Sequence, residues 1–471
     1  MHSQLYRLIF YINLSRGAGN FFLFGSLYGL LILFCSTKAL AQEAKPNIIM
    51  ILADDLGYGE LSSYGSKDCQ TPTLDSLRKA GMKLTNFYAN STVCSPTRAA
   101  LLTGCYPDLV GVPGVIRSNT NNSWGYLSEK AVLLPQVLKK AGYHSAIIGK
   151  WHLGLESPNT PTERGFDFFH GFLEDMMDDY YTHVREGKTW MRLNKQEVFP
   201  KGHATDVFTE WATNYLNERK KSSSPFFLYL AYNAPHFPVQ PPEEWLQKVK
   251  QRNPTLSEKR TRLVALIEHL DNSIGKVLST LRKNGQDKNT LIVFSSDNGG
   301  LLQDEANNGG LRGGKQQMFE GGIRVPAIAV WPKKIRPGST SDARGISMDL
   351  FATFCQAAGV KSTANIDGVS LLPTLQGQKQ DLNRPLIWVR REGNNYEGQD
   401  YYAVLINDWK MLQNTPFEPF ELYNIVKDPG ELKNVKNENK EIYNRSTSLL
   451  REHLLKVGSV PWQRPGPVLN R

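Results

Sequence analysis

Short unbroken apolar runs, each ending abruptly in polar residues, recur along the chain. Asn47-Ile48-Ile49-Met50-Ile51-Leu52 leads into Asp54-Asp55, and Tyr143 to Ile148 leads into Gly149-Lys150-Trp151-His152. Phe226 to Leu230 leads into Asn233-Ala234-Pro235-His236, and Leu291 to Phe294 leads into Ser295-Ser296-Asp297-Asn298. Runs without strict alternation suit parallel strands, which are covered on both faces. Helical patterns lie between them, at about 74–80, 133–141, 206–220 and 258–284. This alternation predicts an α/β sheet with helices on both sides. In such sheets ligands bind at the carboxyl ends of the strands. Four strand ends here carry two Asp, a Lys with a His, a second His, and an Asp-Asn pair, which argues for a built site on one edge.

The texture changes near residue 375. Arg384 to Arg391 and Tyr401 to Leu412 read as antiparallel strands, the second turning through Asn407-Asp408. Glu421 to Val426 follows, then a polar helix from about Glu438 to Lys456. These segments predict a smaller α+β unit over 376–471, packed on a larger α/β unit over 42–375. Residues 1–41 differ from both: an apolar stretch from about Phe21 to Phe34 precedes Ala39-Leu40-Ala41, a small-x-small cleavage pattern. They read as a secretory signal, so the expected location is exported, periplasmic or secreted, with no stable membrane anchor.

With 471 residues and ordinary hydrophobic and charged fractions, the chain has ample material for one large and one small unit. The signal holds Arg7, Arg16 and Lys38 and no acid, so its removal lowers the formal net charge from +10 to +7. A basic exported protein is compatible with an acidic substrate. No basic stretch interleaved with aromatics is present, which argues against nucleic acid. The remaining cysteines, Cys69, Cys94, Cys105 and Cys355, are too few for a disulfide framework, and Cys69–Cys105 is one possible bridge.

Pro96 suits a first helical turn and Ala99 to Leu102 continue it, which puts Cys94 at a helix N-terminus, a place that favours anions. Asp54, Asp55, Asp297 and Asn298 are hard oxygen ligands, suited to Ca²⁺ or Mg²⁺. No thiolate–imidazole set of zinc spacing occurs.

Cys94-x-Pro96-x-Arg98 followed by Leu102-Thr103-Gly104 resembles the signature of type I, formylglycine-dependent sulfatases. The other motifs come in the family's order: the strand ends Asp54-Asp55, Gly149-Lys150-Trp151-His152, Ala234-Pro235-His236 and Ser296-Asp297-Asn298-Gly299, then a Gly-rich loop, Gly313-Gly314-Lys315, leading to Glu320-Gly321-Gly322. Leu422-Tyr423-Asn424 with Asp428-Pro429 resembles its C-terminal segment.

The resemblance implies an alkaline-phosphatase-like α/β sandwich with a large mixed, mostly parallel sheet and a smaller C-terminal antiparallel sheet. It implies that a separate maturation enzyme oxidises Cys94 to formylglycine. It implies one Ca²⁺, held by Asp54, Asp55, Asp297, Asn298 and oxygen from residue 94. Arg98 would hold the charge of the hydrated aldehyde, Lys150 and Lys315 the sulfate oxygens, and Asp297 would accept the nucleophile's proton. His236 with Lys315 would protonate the leaving group, and His152 would serve the release of sulfate.

The segment 171–202, with Asp175, Asp178, Asp179, Tyr180, Tyr181, Arg185 and Trp190, offers aromatic and acidic side chains for a sugar, and Arg312 is a further candidate contact. The expected substrate is therefore a sulfated carbohydrate. Two other readings make different predictions. A phosphodiesterase or phosphonate monoester hydrolase of the same superfamily would prefer phosphoryl esters. A non-catalytic glycan-binding protein would keep an unmodified Cys94 thiol.

Overall fold

The computed structural model describes residues 44–362, 364–393 and 400–464. The expected export signal at 1–41 lies outside them. At the centre of a ten-stranded sheet, five strands run parallel in the spatial order Thr290–Ser296, Asn47–Ala53, Phe226–Ala231, His144–Lys150 and Phe168–Phe172. Antiparallel neighbours flank them, Ala327–Val330 on one side and Met191–Leu193 on the other. The four strands read from the apolar runs are thus adjacent and share one carboxyl edge.

The first strand shows why its sequence does not alternate. Ile48, Met50 and Leu52 enter one hydrophobic core, while Ile49, Ile51 and Ala53 enter a second on the opposite face. Helices Cys94–Thr103 and Asp349–Ala357 supply Leu101, Leu102, Phe351 and Phe354 to the first core. Helices Pro72–Ala80, Ala204–Arg219 and Glu258–Lys283 supply Leu74, Phe208, Ile267 and Ile274 to the second. Each fully buried aliphatic side chain contributes roughly 1.5–3 kcal/mol. Truncating one such as Ile147 to Ala, with its cavity, costs about 2–5 kcal/mol.

A second sheet of four antiparallel strands, Leu386–Arg391, Asp400–Ile406, Trp409–Gln413 and Glu421–Asn424, follows in chain order. Ile387, Val389 and Val404 on one face pack against Leu450 of helix Lys440–Val457. Trp388, Ala403 and Leu405 on the other pack with Ala100 of the Cys94 helix and with Met318 and Ile323. The small sheet therefore rests on segments that carry site residues. Cys69 and Cys105 are both free. Cys69 belongs to one core and Cys105 packs against the other, on the opposite face of the sheet, which rules out the bridge between them.

Candidate active site

The carboxyl edge of the parallel strands and the N-terminus of helix Cys94–Thr103 meet at one buried point. Cys94 is the first helical residue, and it lines a cavity of about 320 Å³ with His152, His236 and Lys315. Ligand atoms of Asp54, Asp55, Cys94 and His236 all lie within 4.8 Å of one another. Burial, followed by the negative charge of Asp54, pushes the Cys94 thiol well above its ordinary pKa. An unmodified Cys94 is thus a neutral thiol and a poor nucleophile.

Strand geometry places the flanking groups. Lys150 is the last residue of its strand, two residues beyond the end of the apolar run at Ile148. Gly149 permits this, with φ 103° and an ideal Cβ position only 1.9 Å from the Ala231 carbonyl oxygen of the neighbouring strand. Asp55 and His152 also hold left-handed backbone, at φ 67° and 59°. Such conformations are costly for ordinary residues and cluster at functional sites.

Cations and carboxylates interlock here. Lys150 Nζ donates to Asp54 Oδ2 at 2.6 Å, and Lys315 Nζ donates to Asp55 Oδ2 at 2.7 Å. Arg98 donates to Asp297 Oδ2 through Nε and Nη2, at 3.0 and 2.7 Å, and to the Lys150 carbonyl at 3.2 Å. Asp297 Oδ1 accepts the Asp55 amide at 3.2 Å, and Asn298 Nδ2 donates to Asp55 Oδ1 at 2.8 Å. Burial would raise the Asp54 carboxyl, but Lys150, His236 and Arg98 outweigh it and hold it well below the usual range. Asp297 goes the other way: burial and the neighbouring Asp54 charge push it up to about 7 despite Arg98.

This donor set fits a hard divalent cation. Three buried carboxylates crowd together with an amide, and Asp54 Oδ1 and Asn298 Oδ1 are buried without a hydrogen-bond partner. Oxygen-rich sets of this kind suit Ca²⁺.

The two histidines differ in tautomer. A carbonyl only accepts, so His236 Nδ1 donates to the Phe237 carbonyl at 2.7 Å, and Nε2 accepts from Lys315 Nζ at 3.0 Å. His152 Nε2 donates to the Ile116 carbonyl at 2.9 Å, which leaves Nδ1 with a buried, unpartnered lone pair. Burial, then the Lys150 and Arg98 charges, hold the His152 pKa well below its ordinary value. Burial and Lys315 lower that of His236.

All the residues read as site candidates from the strand ends and the Cys94 helix converge here. Segment 171–202 divides. Asp175 and Arg185 line the cavity, and Tyr180 lies beneath it, its hydroxyl bonded to the His236 and Asn233 carbonyls at 2.9 Å each. Tyr181 is largely exposed. Arg312 is not a cavity residue: it stacks on Phe319 and donates to Tyr423 Oη and the Glu431 carbonyl, clasping the small sheet. Sequence reading missed Arg117, Ser118, Arg390 and Glu392, which line the cavity from a loop and from the end of a small-sheet strand.

The family model described as "Sulfatase" matches residues 46–360, and that described as "N-sulphoglucosamine sulphohydrolase, C-terminal" matches 313–458. The N-acetylgalactosamine-6-sulfatase of Mus musculus is 33% identical over 90% of this chain and 89% of its own. A sulfatase of Formosa agariphila is 30% identical over 88% of this chain and 89% of its own. The crystal structure of Ps i-CgsB in complex with k-i-k-neocarrahexaose superposes with a TM-score of 0.81 at 32% identity, covering 89% of this chain and 95% of that one. The chain belongs to the sulfatase family of the alkaline-phosphatase-like superfamily and is a sulfuric ester hydrolase. The phosphonate monoester hydrolase of Agrobacterium radiobacter, with a TM-score of 0.63 at 20% identity, shares the fold. Among the described residues, no helix is long and apolar enough to cross a membrane.

Proposed function

We propose that this enzyme removes sulfate from sulfated saccharides, with residue 94 acting as formylglycine after oxidation of Cys94 by a maturation enzyme. The observation that carries this reading is the convergence of Asp54, Asp55, Cys94 and His236 within 4.8 Å at a helix N-terminus. The saccharide class rests on the relatives, one named for N-acetylgalactosamine sulfate and one crystallised with a neocarrahexaose. We also propose the organisation read from the sequence: an export signal at 1–41, a catalytic unit at 42–375 and a small C-terminal unit at 376–471.

Asp54, Asp55, Asp297 and Asn298 would hold Ca²⁺ together with residue 94, and the bound ion would supply positive charge to the sulfate and nucleophile oxygens. A hydrated formylglycine at residue 94 would supply two hydroxyls on one carbon, one as the nucleophile toward sulfur and one whose loss of a proton would re-form the aldehyde as the carbon–oxygen bond to sulfate breaks.

The other roles belong to residues already in position. Arg98, fixed between Asp297 and the Lys150 carbonyl, stabilises negative charge at residue 94. Asp297 accepts the nucleophile's proton. Lys150 and Lys315 stabilise the sulfate oxygens. His236 Nε2 faces the Lys315 ammonium, so this pair carries the proton that the leaving oxygen takes up. His152 Nδ1 is a neutral lone pair in a cationic surrounding, suited to receive the proton released with sulfate.

The test is co-expression with a formylglycine-generating enzyme, mass analysis of the residue-94 peptide, and sulfate release from N-acetylgalactosamine 6-sulfate and neocarra-oligosaccharides. Formylglycine at residue 94 with sulfate release is expected. Faster turnover of aryl phosphate than of aryl sulfate, or full turnover with an intact thiol, would overturn the reading.

A further inference from the structure

The cavity over residue 94 has a second wall, built from the loop around Arg117, from Asp175 and Arg185, and from Arg390 and Glu392 at the end of a small-sheet strand. Asp175 is its centre and is only 8% exposed. Its Oδ2 lies 3.6 Å from Arg117 Nε and its Oδ1 lies 3.2 Å from Arg185 Nε. The closer contact is off-axis, so Asp175 Oδ1 and Arg185 Nε both lack a hydrogen-bond partner. Arg185 spends an N–H on Asp178 at 2.8 Å, and Arg117 spends one on the Asn122 carbonyl at 3.1 Å. A buried carboxylate oxygen that faces one guanidinium N–H, that of Arg185, with neither making a well-aligned hydrogen bond, is expensive unless something completes it.

Charge decides what that ligand group is. Arg117, Arg185 and Arg390 are balanced here by Asp175, Asp178, Glu186 and Glu392. Among the described residues, this wall has no surplus positive charge for a second sulfate or a carboxylate. It does offer donors and acceptors side by side, which neutral hydroxyls match in both directions. At about 320 Å³ the cavity is at the small end of ligand sites, so the catalytic wall and this wall face the same sugar unit.

Resting on the sulfatase reading above, we propose that Asp175, Arg117 and Arg185 form a specificity subsite that reads free hydroxyls on the sugar carrying the sulfate. The substrate would then have one charged substituent at the catalytic wall and unsubstituted hydroxyls opposite it. Asp175 accepts from one hydroxyl and the guanidiniums donate to its neighbour. A sugar with a second sulfate or a methyl ether there is excluded, because its group would lack a partner and would leave Asp175 unsatisfied.

The experiment compares kcat/KM for a sulfated sugar that the enzyme hydrolyses with that for its deoxy and O-methyl analogues, in the unsubstituted enzyme and in Asp175→Asn. Arg185→Lys, checked by thermal melting, serves as the second variant. The unsubstituted enzyme is expected to prefer the hydroxylated sugar, and either variant to lower that preference about tenfold, the size of one charge-assisted hydrogen bond. An unchanged preference in both variants, whether all rates fall together or none does, would reduce Asp175 to a structural ion pair and overturn the proposal. A preference for the sugar with a second sulfate would overturn it as well. Absence of sulfate-ester turnover, aryl sulfate included, in the matured unsubstituted enzyme would instead sink the sulfatase reading, and this proposal with it.

Discussion

The Lys315 ammonium lies 3.0 Å from Nε2 of His236, and it also holds Oδ2 of Asp55 at 2.7 Å. In the mechanism proposed above, an imidazole that accepts from a lysine would relay a proton to an oxygen that enters between them. Leaving-group dependence tests this. For His236→Ala, kcat/KM on unactivated sugar sulfates is expected to fall by about 10²–10⁴. The loss on an aryl sulfate with a good leaving group should be much smaller, since that group departs without a proton. Lys315→Ala should show the same sign with an added loss on both substrates, because Lys315 also serves the sulfate oxygens. Equal losses on the two substrates in His236→Ala would remove it as the acid.

Gly149 tests how strictly the strand edge sets the site. A Cβ there would meet the Ala231 carbonyl oxygen at 1.9 Å, and φ 103° is foreign to side-chain-bearing residues. Gly149→Ala should separate the His144–Lys150 and Phe226–Ala231 strands at their functional ends. The expected result is a loss of about 2–4 kcal/mol in stability with a larger relative loss of activity, since Lys150 is the next residue. Denaturant melts and sulfate release measure the two. Retained activity in a destabilised variant would mean that Lys150 is held by Asp54 rather than by the strand.

Metal dependence has a readout besides turnover. The carboxylates of Asp54, Asp55 and Asp297 are buried beside Asn298, whose Oδ1 has no partner. Ca²⁺ added to chelator-treated protein should raise the melting temperature, with a stabilisation of roughly 2.7 kcal/mol at a hundredfold excess over Kd. Asn298→Leu should blunt that rise. A melting curve indifferent to both chelator and Ca²⁺ would argue that Lys150, Lys315 and Arg98 alone neutralise the cluster.

The strand-end residues were legible because parallel strands force their carboxyl ends onto one edge: Asp54, Lys150, His236 and Asp297 needed only four apolar runs to be placed together. Cys94 was legible from Pro96 and the helix that follows. The second wall was not. Arg117 sits in a polar loop without periodicity, and Arg390 with Glu392 reaches the cavity from the small sheet, almost 300 residues along the chain from Cys94. No local pattern encodes such an approach. Arg312 misled for a related reason: adjacency to Lys315 suggested the cavity, yet stacking on Phe319 and bonds to Tyr423 and Glu431 turn it away.

That clasp supports a prediction on pH. Lys410 is fully buried between Glu320 Oε1 at 3.0 Å and Glu431 Oε1 at 2.9 Å. Glu431 also accepts the Glu320 amide at 2.7 Å, and its carbonyl accepts Arg312. These bonds hold both ends of the 312–320 loop that carries Lys315. Glu320 also has Arg324 at 3.7 Å, whereas Glu431 has only its share of Lys410 among the ion pairs of the described residues. Glu320 is held below its ordinary range, where Lys410 and Arg324 together outweigh burial, whereas burial pushes Glu431 up to about 7 against the pull of Lys410. A carboxyl that ionises near 4.5 when unfolded and near 7 when folded makes the folded state bind the extra proton between those values. Stability should therefore fall as pH rises from about 4.5 to about 7, by on the order of a few kcal/mol, and then level off. Glu431→Gln cannot ionise and should lack this limb, so its melting temperature should gain on that of the unsubstituted enzyme between pH 5 and pH 8. Parallel profiles across that range would mean that Glu431 is already ionised at pH 5 and that Lys410 serves both carboxylates equally.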